Sequence, residues 1–315
     1  MFNDLNHHND IQKNIEYMTK SHLRNVMQLA IFYTGSEKIY AINISKIESF
    51  LIKENVEMVR TPSANGLVEG VLNLRGDMVS IVNLDHWIGE KVENDPYKII
   101  IICNYNEKKI GILAKDIIRI QEMQSSELKV PSSDDPKISY VTEIELLNQN
   151  KLCIVFDAEK LLFDLGTSPT ASGTTIYDID SIGDVESIKS EKMVLIAEDS
   201  STVIDKLNEF FTKLEVKFEI YENGQLLIDR LEEIDSNKIG IIVTDLEMPV
   251  KNGYQVIKYI KSSNDYKHIP ILSLTSMTNR GVYDKVKSLG AMDLINKADL
   301  DKLYSYIREN IEGVE

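Results

Sequence analysis

The stretch LIAEDSS, Leu195 to Ser201, ends a run of apolar residues on two adjacent carboxylates, Glu198 and Asp199. Taken alone, the pair has two readings. Ser200 or Asp199 can cap a following helix, because short polar side chains accept hydrogen bonds from the free N–H groups of a first turn and acids are favoured there. Alternatively, the pair belongs to a cation or proton site, which needs partners elsewhere in the chain. The fold follows from what surrounds the stretch. MVLIA (Met193–Ala197) is the first of five short apolar runs, followed by FEIY (Phe218–Tyr221), IIVTD (Ile241–Asp245), ILSLT (Ile271–Thr275) and MDLIN (Met292–Asn296). The segments between them have helical period: Val203, Leu207, Phe210, Phe211 and Leu214 share one face, and so do Val282, Val286 and Leu289. Asn223 and Gly290 stand where an N-cap and a C-terminal glycine belong, and a last amphipathic helix is expected over Leu300 to Ile311. Alternating βα units with such apolar strands predict an α/β, doubly wound, five-stranded parallel sheet covered on both faces.

In an open parallel sheet, function gathers at the carboxyl ends of the strands. Those ends carry Glu198 and Asp199, then Asp245, then Thr275, then Lys297 just past the fifth strand. Three carboxylates brought together repel one another by several kcal/mol per pair at ~4 Å unless something screens them. A hard divalent cation with oxygen ligands does this, and Mg²⁺ is the abundant one. A phosphoryl group on one carboxylate would also use the hydroxyl and the ammonium, so that its charge is met on every side.

The acid pair, DLEMPVKNG (Asp245–Gly253) with its D-x-x-M-P-x-x-x-G form, a threonine and a lysine follow in that order. This pattern resembles the receiver domain of bacterial two-component response regulators over about residues 191–315, a flavodoxin-like fold. The resemblance implies that Asp245 accepts a phosphoryl group from a phosphohistidine and that Asp199 ligates Mg²⁺ directly. It implies that Glu198 holds the ion through water, with Asp245 and the backbone carbonyl of Glu247 as further ligands. Thr275 and Lys297 would bind phosphoryl oxygens, while Met248, Pro249 and Gly253 shape the loop. Two positions depart from the usual pattern: Ala298 follows the lysine in place of proline, and Leu294 stands where many receivers carry a switching aromatic ring.

Upstream the rhythm changes. Residues 166–190, rich in small, polar and turn-forming residues, read as a linker, and residues 1–20 as a polar N-terminal extension. Between Met27 and Asp157 lie strand-like runs such as QLAIFYT, KIYAINI, MVSIVNL, KIIIICNY, KKIGILA and KLCIVF, with a helix around Glu159 to Phe163. They predict an all-β domain of antiparallel strands forming one barrel or paired small β barrels. Its most distinctive stretch is VEGVLNLRGDMVSIVNLDHWIG (Val68–Gly89). Gly76 and Asp77 are expected to turn a hairpin, with Asn73 and Gly70 pinning the approach. Arg75 at that turn is either solvated or a donor to a partner's oxygens.

The G-V-x-N-L-R-G form, followed by an apolar strand and an aspartate or asparagine pair, resembles the core motif of CheW-type chemotaxis coupling domains over about residues 21–165. Ser80 stands where that family often has proline. The resemblance implies two intertwined β barrels that bind chemoreceptor cytoplasmic tips and a regulatory domain of the chemotaxis histidine kinase, with Arg75 facing the receptor. A coupling domain, a linker and a receiver in this order resemble the CheV-type chemotaxis adaptors. What that implies is a signal-transduction adaptor modulated by phosphorylation of Asp245, and no enzyme beyond its own phosphorylation and dephosphorylation. The alternatives are a phosphate sink for the kinase or a receiver-regulated output of another kind.

Composition agrees with a soluble globular chain: 43% apolar and 27% charged residues over 315 positions, enough for about two domains. A formal charge of −15 argues against holding a nucleic-acid backbone, which needs clustered Lys and Arg. No apolar stretch reaches membrane-span length and MFNDLNHHND lacks a secretory core, so a cytoplasmic location at receptor arrays, without membrane insertion, is expected. Cys103 and Cys153, far apart in strand-like runs, read as buried thiols, and His7 and His8 as a solvated tail.

Overall fold

The computed structural model describes residues 26–61, 66–105, 108–131, 135–166, 186–276 and 280–312. The expected extension at 1–20, with His7 and His8, and residues 167–185 of the expected linker lie outside them.

The first half builds two sheets. One has strand order β10-β11-β2-β1-β9, from β1 (Val26–Tyr33), β2 (Ile39–Asn43), β9 (Asp116–Gln124), β10 (Ile138–Leu146) and β11 (Gln149–Phe156). The other runs β3-β7-β8-β6-β5-β4, from β3 (Ile47–Ile52), β4 (Met58–Arg60), β5 (Val68–Leu74), β6 (Asp77–Val82), β7 (Ile99–Tyr105) and β8 (Lys108–Ala114). Successive strand residues point to opposite faces, and here both faces are used. Leu29 and Ile31 pack with Met123, Tyr140 and Cys153 in the first sheet's own core. Ile100 and Ile102 pack with Leu72, Val79 and Ile81 in the second's. Their neighbours Ala30, Phe32, Ile101 and Cys103 turn the other way into a third core shared between the sheets. The expectation of purely antiparallel strands is corrected at two places, since β11 pairs parallel with β2 and β6 parallel with β8. Long stretches of chain separate each of these pairs, which is the condition for a parallel pairing.

The β5–β6 hairpin forms as the sequence suggests, with its turn one residue earlier. Arg75 and Gly76 are the two loop residues, both at positive φ (55° and 102°), and Asp77 already pairs with Leu74. Asn73 Oδ1 accepts a hydrogen bond from Gly76 N at 2.8 Å, which pins the turn. Gly70 is needed for close approach, because a Cβ there would lie 2.5 Å from the Val59 carbonyl oxygen. Helix α1 (Leu84–Trp87) is capped by Asn83, and buried Asp85 accepts from Gly35 N and Ser36 N, holding the β1–β2 turn. Cys103 and Cys153 are free and buried, and burial pushes both thiols up to about 12.

Helix α2 (Ala158–Gly166) closes this half and packs on α3 (Ser201–Lys213) of the second half. The shared core continues through Leu161 and Leu162 to Leu207, Phe210 and Phe211, so the two halves have a common apolar seam. Residues 186–190, within the expected linker, lie on the second half: Ile188 is buried and its N–H donates to the Leu214 carbonyl at 2.9 Å.

The second half is the expected parallel sheet. Its strands are β12 (Met193–Ala197), β13 (Lys217–Tyr221), β14 (Ile239–Asp245), β15 (Ile271–Thr275) and β16 (Asp293–Asn296), in the order β13-β12-β14-β15-β16. Helices α4 (Gly224–Glu233), α5 (Gly253–Ser262), α6 (Arg280–Ser288) and α7 (Leu300–Ile311) alternate with them. Every residue of β14 is buried, as a central parallel strand requires. Asn223 caps α4 by accepting from Gln225 N and Leu226 N, and Gly290 ends the α6 region at φ 98°.

Gly253 sets how closely α5 approaches β14. A Cβ on it would lie 2.1 Å from the Asp245 carbonyl oxygen, a clash with backbone that no side-chain rotation relieves. Gly253→Ala is therefore expected to cost about 1–3 kcal/mol, the range for overpacking a tight core. Thermal unfolding should show a midpoint several degrees lower, and an unchanged midpoint would contradict this packing.

Candidate functional site

Strand register brings the expected residues together. Ala197 stands opposite Thr244, so Glu198 and Asp199 leave β12 beside Asp245 at the end of β14. Thr275 stands opposite Asn296, which puts Lys297 one step beyond, at the same edge of the sheet. One oxygen from each of Glu198, Asp199 and Asp245 lies within 4.8 Å of the other two. Lys297 Nζ is 2.8 Å from Glu198 Oε1 and 3.2 Å from Asp245 Oδ1, and its N–H donates to the Thr275 carbonyl at 2.9 Å. Asp245 Oδ2 accepts from Glu247 N at 3.0 Å, which fixes the carboxylate at the start of the D-x-x-M-P loop. Ser200, not Asp199, caps α3, accepting from Val203 N at 3.5 Å. Asp199 is thus left to the pocket.

The electrostatics match the crowding. Glu198 is fully buried, and its carboxyl is held well above the usual carboxylate range by burial and by Asp245 and Asp199, against the pull of Lys297. Burial and Asp245 push Asp199 up to about 8, eased by Lys297 and by a hydrogen bond from Tyr140. Glu198 Oε1 accepts from Ser200 N and Lys297, while its Oε2 is buried with no hydrogen-bond partner among the described residues. Clustered carboxylate oxygens, one of them orphaned, with too few cations among them, are a donor set that fits a hard oxygen-seeking dication such as Mg²⁺.

The pocket also includes residues that the sequence reading did not foresee, and most come from the first half. Tyr140 on β10 donates its hydroxyl to Asp199 Oδ2 at 2.6 Å. Lys46, in the turn after β2, reaches Glu247 Oε2 at 2.8 Å and Ser276 Oγ at 2.5 Å. Burial alone would lower the Lys46 ammonium's pKa, but Glu247 and Glu159 more than offset it and raise it. Glu159 at the start of α2 accepts from Ser276 Oγ at 3.2 Å and stands 4.0 Å from Lys297 Nζ. Asp157 accepts from Ser200 Oγ at 3.0 Å. Ser276 directly follows Thr275 and was within reach of a local reading. Lys46 and Tyr140 carry no local signal, because only the docking of the two halves gives them their partners. Arg75, exposed at the β5–β6 turn, takes no part in this cluster.

The two departures have local solutions. Ala298 N donates to Asn296 Oδ1 at 2.8 Å, which shapes the loop after Lys297. Leu294 is buried in the sheet's core, and the nearby ring of Tyr306 is tied to Asp293 by a 2.6 Å hydrogen bond.

Comparison with known proteins finds a separate family model for each half. Residues 28–165 match the CheW-like domain model and residues 194–308 the response regulator receiver domain model. Over its length the chain is similar to two Helicobacter pylori proteins. Chemotaxis protein CheV2 is 25% identical, with 95% of this chain and 99% of that protein covered. Chemotaxis protein CheV1 is 28% identical, with 95% and 97% covered. Among solved structures, the scaffolding protein TtCheW from Thermoanaerobacter tengcongensis aligns with 43% of this chain and 87% of its own, at 18% identity and a TM-score of 0.37. The chain is a CheW-like domain joined to a response regulator receiver domain. That is the domain order of the CheV-type chemotaxis proteins.

Asp157 offers a test of the junction between the domains. Burial and the neighbouring Glu159 push its carboxyl up to about 6, above the ~3.9 of an unfolded aspartate. The folded chain therefore holds this proton more tightly than the unfolded one. The associated stability is full below about pH 4 and is lost as pH rises to about 6. Asp157→Asn keeps an oxygen for the Lys160 N–H that Asp157 Oδ1 accepts at 2.8 Å. Its melting temperature should fall less than the parent's between pH 4 and 6, and equal pH slopes would contradict the assignment.

Proposed function

We propose that this chain is a chemotaxis adaptor that couples chemoreceptor cytoplasmic tips to the chemotaxis histidine kinase, and that phosphorylation of Asp245 modulates the coupling. The observation that carries the reading is the Lys297 ammonium 3.2 Å from Asp245, beside the buried Glu198 and the half-buried Asp199, in one chain with a CheW-like domain. An oxygen of Asp245 attacks the phosphorus of a phosphohistidine, the N–P bond breaks, and the imidazole leaves with a proton. Asp199, Asp245 and the Glu247 backbone carbonyl would hold Mg²⁺ directly and Glu198 through water; the ion supplies charge neutralisation for the transferring group. The Thr275 hydroxyl donates to one phosphoryl oxygen and Lys297 pairs with another.

On this reading the protein turns over nothing beyond its own phosphoryl group and works at receptor arrays on the inner face of the membrane. No helix among the described residues is long and apolar enough to cross a membrane. Arg75, exposed on a two-residue turn, is the proposed contact to the receptor. With acetyl phosphate and Mg²⁺ the parent should be labelled and Asp245→Asn should not; equal labelling would remove Asp245 as the acceptor. Arg75→Glu should weaken sedimentation with receptor arrays severalfold while leaving labelling intact. Unaltered sedimentation would take Arg75 out of the interface.

A further inference from the structure

The receiver pocket is largely covered. Asp245 is only 4% exposed, and the residues over it belong largely to the coupling domain: Met27, Ile42, Lys46, Tyr140 and Glu159 line the small cavity that also reaches Asp199 and Lys297. Each polar contact across this seam uses a group that phosphorylation needs or adjoins. The Tyr140 hydroxyl donates to Asp199 Oδ2, on the carboxylate proposed to ligate Mg²⁺ directly. Lys46 brings a second ammonium to a pocket whose own acids outnumber its lysine, and it is steadied there by the Tyr105 ring 5.8 Å away. Glu159 is the most telling. Its carboxylate accepts from Ser276 Oγ at 3.2 Å and lies 3.7 Å from Lys46 Nζ and 4.0 Å from Lys297 Nζ. It is an anion beside Lys297, the cation that a phosphoryl group on Asp245 would use.

We propose that the face of the coupling domain carrying Lys46, Tyr140, Asp157 and Glu159 is a docking surface for the receiver's own acidic pocket, and that this docking and phosphoryl transfer to Asp245 exclude one another. The inference rests on Asp245 being the phosphoacceptor. Two physical constraints support it. A donor histidine on another protein must bring its phosphorus within bonding reach of an Asp245 oxygen, and the coupling domain fills that approach. Once transferred, the phosphoryl dianion faces the Glu159 carboxylate across a largely buried pocket, where like charges repel more strongly than in water. Phosphorylation therefore favours separation and frees the coupling domain's inner face. Linkage makes the effect reciprocal: the factor by which docking disfavours the phosphorylated form is the factor by which phosphorylation disfavours docking.

The test uses the full chain and two readouts. Lys46, nearly buried when docked, should resist acetylation by an N-hydroxysuccinimide ester compared with the exposed Lys258, as measured by mass spectrometry. Acetyl phosphate and Mg²⁺ should expose Lys46 in the parent and leave it protected in Asp245→Asn. Tyr140→Phe and Glu159→Gln, which remove one hydroxyl and one charge, should expose Lys46 without any donor and quicken phosphorylation of Asp245 roughly tenfold, within the range of couplings between linked sites. The proposal is overturned if Lys46 reacts like Lys258 in the donor-free parent, if it stays protected in phosphorylated protein, or if both variants are phosphorylated no faster than the parent. Failure of the phosphoacceptor reading has a different signature, which is full labelling of Asp245→Asn.

Discussion

Three carboxylates forced together at one edge of a parallel sheet are the constraint on which this molecule is built. Glu198, Asp199 and Asp245 meet because β12 and β14 are neighbours in register and both end there. Burial makes their repulsion expensive, and Lys297 alone cannot neutralise it. The pocket is left short of positive charge, and that shortage makes it responsive. On the proposed reading a dication would relieve it, and in the structure a lysine from the other domain, Lys46, reaches its edge at Glu247. The carboxyls of Glu198 and Asp199 are raised by that crowding.

The second domain enters the same balance. Lys46 and Tyr140 project from the coupling domain onto Glu247 and Asp199, and an apolar seam from Leu161 and Leu162 to Phe210 and Phe211 fixes the distance at which they do so. The seam itself is indifferent to charge, whereas the polar contacts above it depend on what the pocket holds. An interface with an apolar base and an ionic rim of this kind is suited to a switch, because a change of charge at Asp245 acts on the rim directly. Loop chemistry at the receiver edge serves the same end: Gly253 lets α5 close on Asp245, and the Glu247 N–H holds the carboxylate in place.

Much of this was legible in the sequence, and the reasons it was or was not are physical. The receiver strands are apolar throughout, since a parallel sheet is covered on both faces, so the runs from Met193 to Asn296 marked all five. The pocket residues were legible because topology alone sends strand ends to one edge. In the coupling domain the buried runs around Ile31, Ala41, Ile101 and Ile112 were equally plain, but β9 and β10 were not singled out. DIIRIQEMQ and ISYVTEIEL alternate with charged residues because one face of each meets solvent. The hairpin turn came one residue early because Arg75 takes a positive φ together with Gly76, where the reading had placed the turn at Gly76 and Asp77. Lys46, Tyr140 and Glu159 were illegible for a different reason. Each is an ordinary residue of its own strand, turn or helix, and its partners lie across a domain junction on residues far away in the chain.

The central claim is that one chain carries both a coupling domain and the charge switch that governs it. The most direct measurement is kinase activity in reconstituted receptor arrays containing the full chain, before and after its phosphorylation. The account predicts a change in the parent that Asp245→Asn does not show at equal array occupancy. Identical kinase activity in phosphorylated and unphosphorylated parent would contradict it.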